Sequence, residues 1–283
     1  MTSTTPEPGL HEDVPFDTYS LWDAVNHSKL KGFSKSAAHA RRHILNPPEP
    51  TRALEAGRAI HAILLQPDLL DSEFVVAPKI DRRSKAGKEA WANFESMNQF
   101  KSIITPDEHD MLTGIRDSVW GQGKTAITEL LSATGKNEVC AVWDDPELDV
   151  RCKARLDRFT LLNGWPCVID LKSTRDAERY WFSRDIYKLR YHTQAAYYID
   201  GLKTLHDVDR RFVIVALEKE PPYCCVAYEL EADAIEQGRR TYRQWLQKYV
   251  EAPTSGVWAG YSTQIESISI PSYAFDNSNN GMQ

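Results

Sequence analysis

The residues best suited to chemistry lie in one stretch, KARLDRFTLLNGWPCVIDLKST, residues 153–174. Asp157 falls near the end of one strand-like segment, and Asp170 ends the next. Lys172 follows two residues later, so strand alternation puts it on the same side as Asp170. Two carboxylates and an ammonium gathered at strand ends are what metal-assisted cleavage of a phosphodiester requires. Carboxylates hold hard, oxygen-loving cations such as Mg²⁺. Such a cation polarises the phosphate and lowers the pKa of a bound water. The lysine can position that water or stabilise charge as it develops on the phosphorus oxygens. Taken alone, Asp-x-Lys is a common tripeptide whose ordinary meaning is a strand terminus with a surface ion pair.

Its companions give it weight. His61 sits in GRAIHAILL, four residues after Gly57. A single histidine on an apolar helix is more often a satisfied core residue than a ligand. Downstream, RYHTQAAYY places Arg190, Gln194 and Tyr198 four residues apart, one face of a helix. Three long donors aligned in this way suit a phosphate backbone. Glu138 reads as an ordinary strand-edge glutamate more readily than as a further acid near a metal. Lys79, Arg82, Arg83, Lys85 and Lys88 form a basic run that could be either a solvated face or a nucleic-acid contact. Gly121-Gln-Gly123-Lys124-Thr125 imitates the tail of a phosphate-binding loop, but Ser118 stands where the earlier glycine is needed and the preceding segment reads as helix.

Elements that position these residues follow from periodicity and punctuation. Helices are expected at 34–46, stopped by Pro47-Pro48, at 51–66, at 85–100 and from Pro106 onward. A short strand, EFVVA, falls between the second and third of these. Strands follow at 138–144, 150–160 and 166–171, then helices at 175–187 and 190–204. Strands at 211–218 and 223–229 and an amphipathic helix at 232–250 complete the chain. The core order is β-β-β-α-α-β-β-α. The predicted fold is therefore α/β, a mixed central sheet flanked by helices, with a helical N-terminal addition.

Composition sets the outer bounds. Of 283 residues, 42% are hydrophobic and 26% charged, ordinary for a globular protein with a sizeable core. Net charge is −6, a weak objection to a nucleic-acid partner, since binding depends on local patches. The five cysteines include no CxxC pair and lie mostly in apolar segments, so they read as buried thiols rather than a zinc site, disulfide framework or iron–sulfur ligands. Neither a signal peptide nor a membrane span is expected, and the location implied is cytoplasmic.

The ordered set GxxxH, Asp, Asp-x-Lys and QxxxY resembles the PD-(D/E)XK nuclease superfamily in its RecB-like and lambda-exonuclease-like branches. Over residues 30–250 the chain looks most like the nuclease domain of the exodeoxyribonuclease VIII (RecE) family, through FSKSA, Gly57–His61, DRRSKAGKEAW, Asp157, IDLKST and RYHTQAAYY. The resemblance implies that His61, Asp157, Asp170 and the Leu171 carbonyl bind Mg²⁺, for which Mn²⁺ substitutes. It implies that Lys172 serves the attacking water and that Gln194 and Tyr198 organise Lys172 and the phosphate. Arg190, Arg82, Arg83 and Lys88 are the expected DNA contacts. The implied activity is 5′→3′ digestion of linear duplex DNA, leaving 3′ single strands for a RecT-like annealing partner. A closed homo-oligomeric ring, trimer or tetramer, would carry it out. An endonuclease of the same superfamily and a catalytically silent DNA-binding module are the alternatives. Residues 17–260 are expected to form one nuclease domain, helical over about 30–130 and with its core over about 136–250. Residues 1–16 and 261–283 are expected to be poorly ordered.

Overall fold

The computed structural model describes residues 5–47, 51–162, 164–262 and 264–272. The chain begins with strand β1 (Gly9–His11) and helices α1 (Phe16–Leu21), α2 (His27–Lys31) and α3 (Ala37–Leu45). Next come α4 (Arg52–Leu65), α5 (Pro67–Glu73), β2 (Phe74–Val76), α6 (Lys85–Met97) and β3 (Ser102–Ile104). Helices α7 (Pro106–Trp120) and α8 (Ala126–Ser132) lead into β4 (Gly135–Asp144), β5 (Arg151–Leu162) and β6 (Trp165–Thr174). The remainder is α9 (Arg179–Leu189), α10 (Tyr191–His206), β7 (Arg211–Glu218), β8 (Cys225–Glu229) and α11 (Ala232–Ser255).

Local chemistry explains the helix starts. Asn26, Ser36, Thr51, Ser84, Thr105 and Thr125 each accept a backbone N–H from the first turn of the helix that follows. A cap of this kind is worth about 1 kcal/mol. At α7 the Glu108 side chain also accepts from the Thr105 N–H, a complete capping box behind Pro106.

The main sheet has the order β1-β4-β5-β6-β7-β8. Its pairs are antiparallel except β6–β7, which is parallel and connected by α9 and α10. Alternation divides its side chains between two apolar layers. Val168, Phe212, Ile214 and Ala216 join Ala195, Tyr197, Leu202 and Leu246 of α10 and α11. Ile169, Leu171, Val213, Val215 and Leu217 join Ile60, Ile63, Leu112, Ile115 and Leu130 of α4, α7 and α8. This is a mixed sheet flanked by helices, as the sequence predicts. Of the helices of the N-terminal half, α4, α7 and α8 pack on one face of the sheet, while α2 and α3 join the layer on the other. Contact between α10 and α11 is close enough to need a glycine: a Cβ on Gly238 would lie 2.1 Å from the His192 carbonyl oxygen.

Three expectations need correction. The first sixteen residues are not all poorly ordered: Gly9–His11 pairs with β4, and Arg151 and Arg155 hold the carbonyls of Pro6 and Val14. Their polar composition hid this because the stabilising partners lie more than a hundred residues away. A second, two-stranded sheet joins β2 to β3 in parallel, and α8 is a further helix. The expected tail from 261 lies beyond residue 272 outside the described residues. Before that, Tyr261 packs on His39 with ring centroids 5.3 Å apart. Among the described residues no helix is long and apolar enough to cross a membrane. Cys140, Cys152 and Cys167 are buried on β4, β5 and β6.

Candidate metal centre

The site forms where β5 and β6 part. Their ladder runs from Leu162↔Trp165 to Arg158↔Ile169 and stops there, one rung before Asp157 and Asp170 would meet. On the other side of β5, pairing with β4 skips the rung at which Glu138 opposes Asp157. Glu138 has φ 54°, left-handed for a residue with a Cβ, which costs roughly 1–2 kcal/mol. Alternation along β5 slips at the same place, since Leu156 and Phe159 pack in the same core layer although three residues apart. Asp157 thus lies within a long strand, not at its end, at a locally strained gap in the sheet.

Two sets of side chains meet across this gap. From α4, His61 puts Nε2 3.5 Å from Asp157 Oδ2 and 3.3 Å from the Leu171 carbonyl oxygen. His61 Nδ1 lies 3.7 Å from Glu138 Oε1. Donor atoms of His61, Glu138 and Asp157 all fall within 4.8 Å of one another. Asp157 Oδ2 also accepts the Leu171 N–H at 2.7 Å, tying the two strands together through a side chain where the ladder has ended. From the α10 side, Gln194 Nε2 donates to Asp170 Oδ1 at 3.0 Å. The ammonium of Lys172 sits 2.6 Å from Asp170 Oδ2 and 4.9 Å above the Tyr191 ring.

Electrostatics bind the two sets. Burial alone would lower the pKa of His61, but the Asp157 and Glu138 carboxylates outweigh it and raise it to about 9. Burial raises Asp157 to about 7, with the nearby Asp170 charge adding to the effect against the pull of His61. Burial opposes the charged form of Glu138, yet His61 and Arg155 together hold it below the usual range. Arg155 Nε donates to Glu138 Oε2 at 2.7 Å. Lys172 is buried too, but Asp170 and Asp157 keep its pKa above the ordinary lysine value. It is therefore a fixed cation at neutral pH.

The donor set fits a divalent cation. Carboxylate oxygens, a backbone carbonyl and one imidazole suit Mg²⁺ and, through the imidazole, Mn²⁺. Asp170 is 2% exposed; its Oδ1 accepts from Gln194 and its Oδ2 is paired with the Lys172 ammonium at 2.6 Å.

His61, Asp157, Asp170, Leu171 and Lys172 therefore come together as expected, and Gln194 joins them. Glu138 is the residue the sequence reading passed over. Arg190 is the residue it misplaced, since it has φ 66° at the junction of α9 and α10 and lies outside the helix that carries Gln194 and Tyr198. Its guanidinium rests 4.9 Å from the Tyr187 ring centroid. The face of α10 does not offer three donors to solvent either. Gln194 turns inward to Asp170, and the Tyr198 phenol beside it is pushed far above its ordinary pKa by burial. Tyr191, rather than Gln194 or Tyr198, touches Lys172. Arg82, Arg83 and Lys88 are exposed around the start of α6, where Arg82 covers the Trp91 ring at 4.2 Å and Arg83 pairs with Asp81. None of the three has a hydrogen bond or ion pair to the cluster.

An Asp-x-Lys strand, with a helix histidine and a second acid facing it, fits the PD-(D/E)XK pattern. The chain belongs to the family described as "PDDEXK-like domain of unknown function (DUF3799)", whose sequence profile matches residues 26–271. No curated protein matches it. Among solved structures it is similar to a protein of Eubacterium rectale described as a "putative exonuclease", at 10% identity and TM-score 0.58, covering 90% of this chain and 94% of that one. More remote are SSO0001, at 14% identity and TM-score 0.29 over 66% of this chain and 86% of that one, and VC1899 of Vibrio cholerae, at 11% identity and TM-score 0.23 over 81% and 57%.

Proposed function

We propose that the protein is a divalent-metal-dependent nuclease that digests linear duplex DNA from its ends, 5′→3′, leaving 3′ single strands for recombination by annealing. The observation that carries the nuclease reading is the meeting of His61, Glu138 and Asp157 with the Asp170–Lys172 pair at one gap in the sheet. Polarity and end dependence draw on the likeness to the RecE family, and the similar fold of the Eubacterium rectale protein described as a "putative exonuclease" supports the exonuclease sense. The same likeness to the RecE family supports a trimeric or tetrameric ring and a RecT-like annealing partner.

His61, Glu138, Asp157, Asp170 and the Leu171 carbonyl would hold Mg²⁺ or Mn²⁺. Bound there, the cation would polarise the scissile phosphate and acidify a water. The chain's own contribution is positional and electrostatic. Gln194 fixes one oxygen of Asp170, and Asp170 in turn aims the Lys172 ammonium. Held against Asp170, the Lys172 ammonium would place positive charge against developing negative charge on the phosphate or position the attacking water. Arg190, at the N-terminal end of α10, would contact the DNA backbone. Arg82, Arg83 and Lys88 would extend that contact.

The test is digestion of linear and covalently closed circular duplexes with Mg²⁺, Mn²⁺ or EDTA, followed by end-labelled substrates. Metal-dependent loss of linear DNA alone, with 5′ label released first, is the expected result. Cutting of closed circles would make the protein an endonuclease. Binding without cutting in either metal would reduce it to a silent module.

A further inference from the structure

Helix α9 carries a surface that the reaction above does not use. Tyr180, Trp181, Arg184, Tyr187 and Lys188 span an arc of about 120° at 100° per residue, one face of the helix. The opposite face is buried through Phe182, which stacks on Tyr228 with ring centroids 5.6 Å apart. On the outer face Tyr180, Trp181 and Tyr187 are 58%, 52% and 63% exposed. Three large aromatics at that exposure on one short helix are a patch that calls for an explanation. Its charge is of one sign. Arg184 lies over both Tyr180 and Trp181, at 5.8 and 5.6 Å from their ring centroids, and neither it nor Lys188 has a carboxylate partner among the described residues. The nearby acids are turned elsewhere: Glu178 caps the helix and Asp185 faces Thr174. A chain of net charge −6 has thus placed unpaired cations and exposed rings together.

Position supplies the second argument. Helix α9 directly follows the strand that bears Asp170 and Lys172, and it ends at Arg190, next to Tyr191 under the Lys172 ammonium. Tyr180 to Tyr187 is a rise of about 10 Å along the helix axis, so the row leads toward the metal centre from outside. Aromatic rings alternating with cations are how proteins hold unpaired nucleic acid: bases stack on the rings and phosphates meet the cations, with little sequence preference. Paired bases in a duplex hide their π faces, so such a row selects single strands.

We propose that the outer face of α9 is a stacking platform for unpaired DNA bases beside the catalytic centre, holding a strand after it has left the duplex. The proposal deepens the nuclease reading and rests on it for the identity of the ligand. The test uses the full chain in EDTA, with fluorescein-labelled oligothymidylate and a blunt duplex followed by anisotropy. Replacing Tyr180 and Trp181 together by Ala should weaken oligothymidylate binding by about tenfold or more. Replacing both by Phe should restore most of it, and duplex binding should change little. With Mn²⁺ present, hydrolysis of thymidine 5′-p-nitrophenyl phosphate, too small to need the platform, should be equal in wild type and Ala variant. Unchanged oligothymidylate binding in the Ala variant would overturn the platform and point to a protein partner for this face. An equal loss on duplex would overturn its preference for single strands. If binding falls as expected but the wild type digests no linear duplex with Mg²⁺ or Mn²⁺, the platform stands and the nuclease reading falls.

Discussion

Replacing Glu138 by Gln tests the metal centre at the residue the sequence marked least. The substitution keeps the shape and removes one negative charge. Opposite unit charges about 4 Å apart attract by about 4 kcal/mol at an effective dielectric near 20, so a dication and a carboxylate attract by about 8 kcal/mol. Most of that is offset, since Glu138 already has His61 at 3.7 Å and Arg155 at 2.7 Å and must share itself with the metal. A net loss of about 1.4–2.8 kcal/mol, a tenfold to hundredfold weaker site, is the expected scale. Stability should move much less. Losing a buried ion-pair partner outright costs about 3–5 kcal/mol, but the amide oxygen of Gln still accepts from Arg155, which also keeps the Val14 carbonyl. Titration calorimetry with Mn²⁺, on protein whose melting curve matches wild type, reads the effect directly. Affinity within about twofold of wild type would show that Glu138 does no more than hold Arg155.

Three further outcomes follow from the same geometry. Lys172→Ala should lower cleavage by about a hundredfold to a thousandfold while DNA binding survives; a variant that keeps substantial turnover in a gel assay removes Lys172 from the mechanism. Metal uptake should expel protons: with its pKa raised to about 9, His61 is protonated at neutral pH and must become neutral to bind. Apparent affinity should therefore rise about tenfold per pH unit below 9 and flatten above it, with Asp157, raised to about 7, steepening the slope further below neutrality. Calorimetry at pH 7.5 in buffers of different ionisation enthalpy should show close to one proton released, and none released would contradict the assignment. Lys153→Met should strand the carbonyls of Tyr19 and Trp22, which now accept from its ammonium at 2.6 and 2.8 Å. At about 1–3 kcal/mol per orphaned carbonyl, melting should fall by several degrees and the N-terminal segment should become sensitive to protease. Unchanged melting would mean that water replaces the ammonium at no cost.

Much of the centre was legible because its parts are local in sequence or carried by periodicity. Asp170 and Lys172 share a face by strand alternation, whereas His61 read as a core histidine until the family resemblance marked it. Glu138 was harder, since its meaning depends on a register: counted back from the hairpin that pairs Asp144 with Arg151, residue 138 falls opposite 157. The Asp-Asp-Pro-Glu turn held that signal, and turn geometry sets strand register. Arg190 had no comparable marker. A left-handed helix junction usually announces itself with Gly or Asn, and here an arginine occupies it without either. Strand β1 could not be read locally at all, because three residues gain a strand only from a neighbour supplied far along the chain.

Strand β5 shows what such non-local dependence entails. Arg151, Lys153 and Arg155 alternate along it, each clasping a carbonyl of the N-terminal segment, and Asp157 comes next in the same series. Between them Cys152, Ala154 and Leu156 fill the opposite core layer. Inserting or deleting one residue within 151–156 would turn over the part of the row beyond the change, driving its cations into oil and presenting oil to the carbonyls. This strand should accordingly tolerate substitutions far better than changes of length. A library of single-codon insertions would show that asymmetry as a gap across 151–157, flanked by tolerance in the turn at 145–149.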